Sequence, residues 1–389
     1  MHRENGVSIS ILTLMPQQRL ISLDVLRGLT VMLMIFVNNG AGTQIFSPLR
    51  HSRWNGMTLC DLVFPFFLFM VGVSTYLSLR KSNFAWSAKT LRKIARRTAL
   101  LFLIGLTINW FDMACNGSPL DLAHLRIMGV MQRIALCYGA TAFVAILSSK
   151  VPQRLHLIPW LIAVLLIAYS LLLIIGGGYD YSSATNLLAI VDTHILGYDH
   201  LYHRSPVDPE GLLSTLPAIA HTLIGFWVAR LTIGKQGSHS TQNTVRMFLL
   251  AGAMLVVSGI ILTLLLPLNK RIWSPSYVLT TCGLASFTQG LLVYLIEDTR
   301  QTASFLNKDK GRAWTFFLIF GSNPLFLYVA SEVLAISLGA AGIKDAVFAG
   351  LQTIITNGYW ASAAYATLFV LLHAAIGYPL WKRHIYIKI

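Results

Sequence analysis

With 389 residues, 55% hydrophobic and only 12% charged, the chain carries about half the charged fraction of a soluble domain, which excludes an ordinary soluble fold. Its mean hydropathy of +0.63 and its repeated apolar stretches of about 20 residues read instead as an all-α, polytopic transmembrane helix bundle. A formal charge of +15 would point to nucleic acid in a soluble protein. No basic domain lies outside the apolar runs, so Lys and Arg gathering in the loops of one membrane face is the better reading, with the bilayer and no nucleic acid as partner.

The first stretch, residues 1–18, holds a short apolar patch from Val7 to Met15. It is too short to span and has no clear small-residue cleavage site, so it reads as a short cytoplasmic segment ahead of one transmembrane domain, 19–389. The apolar runs then predict ten spans: Leu20–Val37, Thr58–Leu79, Thr98–Met113, Ile127–Leu147, Leu157–Ile175, Leu212–Leu231, Val245–Leu266, Tyr277–Ile296, Thr315–Val333 and Ser362–Trp381.

Charge in the connections orients them. One set of loops holds Arg80, Lys81, Lys89, Arg92, Lys93, Arg96 and Arg97, then Lys150, Arg154, Arg230, Lys235 and Arg246, and finally Arg300, Lys308, Lys310, Arg312, Lys382, Arg383 and Lys388. The other set is poorer, with Arg50, Arg53, Arg126, Arg204, Lys270, Arg271 and Lys344. Positive charge stays inside, so both termini are expected in the cytoplasm and the Asn38–Asp61 loop outside.

The external side also carries the longest connection, Gly176–Gly211, with Asp180, Asp192, His194, Asp199, His200, His203, Asp208 and Glu210. Its Gly-Gly-Gly start and Ser-Pro-Val-Asp-Pro-Glu-Gly end are turn chemistry, and long ordered loops often cap binding sites. Between Gly339 and Tyr359, apolar residues at helical spacing predict a helix on the external surface or a short re-entrant piece. Cys60, Cys115, Cys137 and Cys282 have no metal-type spacing and suggest no disulfide framework; Cys60 and Cys137 read as packing residues. The His-rich loop lacks tight ligand spacing, so no metal is expected.

The polar loop Asn38–Asp61 is where chemistry is expected. His51 can serve as a general base for an amine or hydroxyl, or as a nucleophile carrying an acyl group; a plain surface histidine is the bland alternative. Arg50 and Arg53 beside it disfavour the imidazolium. Asn38 and Asn39 end the first span, either as helix-end amides or as donors to a carbonyl oxygen that turns anionic in acyl transfer. Asp61 is placed to orient His51 or Trp54, with Asn55 in the same turn. Asp24 and Arg27, three apart, form an intrahelical ion pair or a ligand contact. Arg133 interrupts an apolar run and needs a partner or an anionic ligand. Gly321-Ser-Asn-Pro324 breaks the ninth span, which makes Asn323 a candidate cavity residue and leaves Glu332 near the outer face.

Several blocks together resemble the heparan-α-glucosaminide N-acetyltransferase family. They are Arg19-Leu-Ile-Ser-Leu-Asp-Val-Leu-Arg-Gly28, Val37-Asn-Asn-Gly40, His51-Ser-Arg-Trp-Asn-Gly56 with Asp61-Leu-Val-Phe-Pro-Phe-Phe67, and Leu125 to Tyr138. Asp208 to Pro217, Asn269-Lys-Arg-Ile-Trp-Ser-Pro-Ser-Tyr277 and Gly321 to Pro324 complete the set, in the family's order. The resemblance implies acetyl transfer from cytosolic acetyl-CoA, as cosubstrate, to the amine of glucosamine or a terminal glucosamine-containing sugar on the far side of the membrane. It matches His51 to the family's catalytic histidine and Asn38 to its nearby asparagine, with Asn39, Trp54, Asn55, Asp61, Arg133 and Asn323 in support. After that asparagine the family has Tyr-Gly-Gly-Gly, where this chain has Asn39-Gly40-Ala41-Gly42. Donor contacts are expected at Asp24, Arg27, Arg92, Arg96 and Arg97 on the basic face. The match is to bacterial members, hence a bacterial inner membrane with His51 on the periplasmic side and a homodimer left open. An amino-sugar transporter and an O-acyltransferase of envelope polysaccharide are the rival readings.

Overall fold

The computed structural model describes residues 20–149, 156–202, 205–234, 240–297 and 310–387. The segment 1–18, and Arg19, Lys150, Arg154, His203, Arg204, Lys235, Arg300, Lys308 and Lys388, lie outside the described residues. In chain order the helices are α1 (Ile21–Asn38), α2 (Cys60–Lys81), α3 (Ala88–Cys115), α4 (Val130–Ser149), α5 (Ile158–Ile175), α6 (Leu187–Leu196), α7 (Thr215–Ile233), α8 (Thr241–Leu262), α9 (Pro275–Glu297), α10 (Lys310–Ser322), α11 (Pro324–Ala340), α12 (Ile343–Ile354) and α13 (Gly358–Lys382). Among the described residues nine are long and apolar enough to cross a membrane, or ten if α10 and α11, bent by 81°, count as one span. All ten expected spans have their counterpart, and the bend falls at Gly321-Ser-Asn-Pro324, where Pro324 has no N–H to continue the helix.

Helix α3 begins at Ala88 rather than at Thr98. Lys and Arg are good helix formers, and Ser87 caps the end by accepting from the Thr90 amide at 3.2 Å, so the helix runs on through its basic turns. The Gly339–Tyr359 segment forms α12, a separate helix with no buried residue. The Gly176–Gly211 connection contains α6 and a 3₁₀ turn at Tyr198–His200.

Lipid tails offer helices no hydrophobic reason to associate, so close backbone approach through small residues does much of the work. The α2–α7 crossing shows it. A Cβ on Gly72 would lie 2.1 Å from the Thr222 carbonyl oxygen, and one on Gly225 would lie 2.2 Å from the Phe69 carbonyl oxygen. The same device joins α1 to α10, where a Cβ on Gly28 would meet the Phe317 oxygen at 1.8 Å. By contrast α3 buries only Ile94, Leu101 and Gly105 and lies on the rim of the bundle.

The connections gather at two ends. At one, the Tyr76 hydroxyl donates to Gly234 O at 2.9 Å, Ser22 binds Glu297, and Asn323 holds the backbone of Ile385 and Ile387 at 2.8 Å each. At the other, Gly56 pairs with Asn269 and Trp54 donates to Tyr179 O at 3.0 Å. There Phe46 also packs on Tyr359 and Trp360, centroids 5.3 and 5.1 Å apart. This second end carries His51.

Because both walls of the α2–α7 contact are backbone, neither can yield. Gly225→Leu is expected to cost about 3 kcal/mol or more and to abolish monodisperse protein in detergent. Gly339→Leu, at a position with open space around the added Cβ, should leave the melting temperature unchanged. Size-exclusion profiles and thermal melts of the two variants check this.

Candidate functional site

Asp61 is the second residue of α2, where the unpaired amides of a helix start favour a carboxylate. Its Oδ2 accepts from the Ser52 amide at 3.0 Å, the Thr58 amide at 3.1 Å and the Thr58 hydroxyl at 3.0 Å. Its Oδ1 faces His51 Nδ1 at 2.7 Å and Lys270 Nζ at 3.5 Å. The carboxylate is fully buried, while the His51 side chain is 50% exposed. These bonds fold the loop back over the start of its own helix.

An ionised carboxylate only accepts, so the proton it shares with the ring sits on His51 Nδ1, and this network assigns Nε2 as the basic nitrogen. Lys270 Nζ lies 3.0 Å from Nδ1 and 3.4 Å from Nε2, and Cys60 Sγ lies 3.2 Å from Nδ1. Proline shapes the support. Pro65 has no N–H for the Asp61 carbonyl four residues back, and the Tyr277 hydroxyl takes that carbonyl instead at 2.5 Å. His221 Nε2 in turn binds the Pro65 carbonyl at 2.9 Å.

Around this centre the expected residues fall into four groups. Trp54 and Asn55 are at the site: Trp54 packs on Tyr181 with centroids 4.6 Å apart, and Asn55 Oδ1 accepts from Asn269 Nδ2 at 3.1 Å. Asn38 is exposed at the end of α1 and has no hydrogen bond to His51 among the described residues, while buried Asn39 is spent on the Ile35 carbonyl at 2.7 Å. Arg133 is buried deeper, bound to Gly211 O at 3.0 Å and to Ser214 Oγ and lying over Trp273 at 5.2 Å. Asp24, Arg27, Arg92, Arg96, Arg97 and Asn323 are at the opposite end. There Arg27 pairs with Asp24 at 3.0 Å and with Ser74, and Arg97 stacks on Tyr138 at 4.6 Å. Arg92 and Arg96 point away from the bundle on the exposed face of α3.

Two ionic features escaped the sequence reading. Lys270 comes from the connection before α9, 219 positions from His51, and only its place in the Asn269–Tyr277 block marked it. Arg126 bridges Asp208 at 2.8 Å and Glu210 at 2.9 Å and ties down the end of the long Gly176–Gly211 connection. Burial works against the charge of Glu210, but Arg126, then Arg133 and Lys270, outweigh it and hold the carboxyl below its ordinary range. Burial likewise opposes the Arg126 charge, and Glu210 and Asp208 more than restore it. Among the described residues no group of three or more His, Cys, Asp or Glu is arranged to hold a metal, and the four cysteines are free thiols.

A family model described as heparan-α-glucosaminide N-acetyltransferase, catalytic, matches residues 19–260. The heparan-α-glucosaminide N-acetyltransferase of Homo sapiens is 31% identical over 371 residues, covering 81% of this chain and 53% of that protein. The Mus musculus protein of the same name is 31% identical over 374 residues, covering 81% and 54%. The chain therefore spans about half the length of the curated relatives it matches.

Asp192, in α6, makes the Gly176–Gly211 connection sensitive to pH. Oδ1 accepts from the Leu213 amide at 3.0 Å, but Oδ2 has no partner among the described residues, and burial pushes the carboxyl up to about 6. The neutral acid is thus favoured in the fold. Its stability contribution is complete below the unfolded carboxyl value of about 3.9 and is lost as pH rises through 6, a difference of roughly 3 kcal/mol. Melting curves from pH 4 to 7.5 should show this fall in the wild type, and Asp192→Asn should flatten it and melt higher at pH 7.5.

Proposed function

The chain belongs to the heparan-α-glucosaminide N-acetyltransferase family, and on that footing we propose that it is a transmembrane acetyltransferase. It moves acetyl from acetyl-CoA to the amine of glucosamine or of a terminal glucosamine-containing sugar. The observation that carries this reading is the 2.7 Å contact of His51 Nδ1 with the buried, fully bonded Asp61, beside an open face. Such a pair fixes the ring and supports the imidazolium that forms when Nε2 takes a proton.

In the direct route, His51 Nε2 accepts the proton of the acceptor amine as that nitrogen bonds to the thioester carbonyl carbon, and returns it to the departing sulfur. In the two-step route Nε2 itself bonds to the carbonyl carbon as the C–S bond breaks and the CoA thiolate leaves; the amine then attacks that carbon, the bond to the ring breaks, and the amine's proton passes to the freed Nε2. Asn38 donates to the carbonyl oxygen as charge develops on it. Lys270 adds positive charge beside the carboxylate and the ring. The basic residues Arg80, Lys81, Lys89, Arg92, Lys93, Arg230, Lys382 and Arg383 at the terminus-bearing end support a cytoplasmic position for that end. His51 then faces the periplasm of a bacterial inner membrane, and the donor enters past Arg27 at the other end. A homodimer is compatible with this arrangement.

Substitution at Asp61 separates this reading from a structural one. Oδ2 receives three donors, so the oxygen of Asp61→Asn stays there and its NH₂ faces His51 Nδ1. The ring is forced into the Nε2–H form, which cannot accept a proton. Purified protein with acetyl-CoA and glucosamine should release free thiol. Asp61→Asn is expected to lower kcat about 10²–10⁴-fold with little change in KM, and His51→Ala at least about 10²-fold. Asn38→Ala should lose about 10²–10³-fold. No thiol release by the wild type with glucosamine, but release with N-acetylglucosamine, would favour hydroxyl acylation. Uptake of labelled sugar into vesicles without acetylation would favour transport.

A further inference from the structure

Helix α3 and helix α4 leave an open groove of about 640 Å³ on the outer face of the bundle, remote from His51. Its walls include Leu91, Ile94, Thr98, Phe102, Gly139 and Phe143, and it is apolar apart from Thr98. Gly139 makes the groove: a Cβ there would stand 2.8 Å from Thr98 Oγ1. From Leu91 to Leu103 it runs about 18 Å along α3. That is close to the half-thickness of a bilayer's hydrocarbon core, about 15 Å.

Its charge is one-sided. Arg92, Arg96, Ala99 and Leu103 form a single i, i+4, i+7, i+11 row, and Ala99 and Leu103 line the groove, so the two exposed arginines continue its wall toward the membrane surface. Lys89 and Lys93 add charge in the same two turns, and the sequence has no acidic residue from Ala85 to Phe111. Trp86, 40% exposed, packs on Phe143 at the same end with centroids 6.3 Å apart, the position of an aromatic anchor at headgroup depth. Arg97 is occupied on Tyr138, which leaves Arg92 and Arg96 turned outward.

We propose that this groove binds an anionic phospholipid, one acyl chain lying against Ile94, Thr98 and Phe102 and the phosphate held between Arg92 and Arg96. A zwitterionic lipid fits the apolar wall equally well but brings its own cation to the arginines, so charge supplies the selectivity. The lipid fills the side on which α3 buries so little and braces it against α4.

Native mass spectrometry of the full chain, released from detergent with equal phosphatidylglycerol and phosphatidylcholine, tests this. The wild type is expected to retain phosphatidylglycerol at least about fivefold over phosphatidylcholine. Arg92→Gln with Arg96→Gln should bring the ratio near one at an unchanged melting temperature. Ala99→Trp, which fills the groove, should lower retention of both lipids; if that variant fails to fold, the glutamine pair still decides. Equal retention by the wild type, or a preference that survives the glutamine pair, overturns the proposal. So does a dimer that Ala99→Trp dissolves, since a second copy would then own the groove. So, too, does displacement of phosphatidylglycerol by CoA together with weaker CoA binding in the glutamine pair, since the arginines would then serve the acyl donor.

Discussion

The buried carboxylate of Asp61 is the constraint on which the site end depends. A carboxylate removed from water is costly unless its lone pairs are met. Here the donors come from separate pieces of chain: Ser52 and Thr58 from the loop before α2, His51 from the same loop, and Lys270 from the connection before α9. Satisfying one residue therefore dictates the path of two loops. The Asp61 backbone extends the same logic, because Pro65 releases its carbonyl to Tyr277 and so fastens α9 to the start of α2.

What holds that residue still is the packing below it. The glycine contact of α2 with α7 brings two backbones together without side chains that could change rotamer. His221, in α7, reaches across the same crossing to the Pro65 carbonyl. Helix α2 is thus anchored at its start by hydrogen bonds and further along by shape. The rim behaves differently: α3 buries only Ile94, Leu101 and Gly105 and packs chiefly on α4.

Most of the bundle was legible because hydropathy and the membrane's thickness leave few alternatives, and the ten apolar runs became nine helices and one bent pair. Contacts local in sequence were legible as well. Asp61, ten residues after His51, was an expected partner for it, and it is bonded to that ring. Lys270 was out of reach because nothing local relates the loop before α9 to the loop after α1; their pairing at Gly56 and Asn269 is a product of tertiary structure. The same blindness affected Asn323. The helix break was visible in Gly-Ser-Asn-Pro, but the occupants of the break, Ile385 and Ile387, come from the far end of the chain. Arg92 and Arg96 illustrate a third kind of loss. Charge patterning found the basic turn but could not tell the interior face of α3 from its lipid face.

The proposed transfer asks one thing of this architecture that a soluble enzyme never faces. A helix of about 20 residues is roughly 30 Å long, so the basic end and His51 lie about the thickness of a bilayer core apart. Between them is a layer in which Arg133 Nε and Nη1, His221 Nδ1 and Trp273 Nε1 are buried with no hydrogen-bond partner among the described residues. Buried polar atoms left so are uncommon and costly. The layer lies directly behind Asp61: Trp273 packs on Tyr277 with centroids 5.3 Å apart, and Tyr277 is bonded to the Asp61 carbonyl. The unpartnered polar groups of this layer are therefore in mechanical contact with Asp61 and, through it, with the His51 ring, so a shift in one is felt at the other.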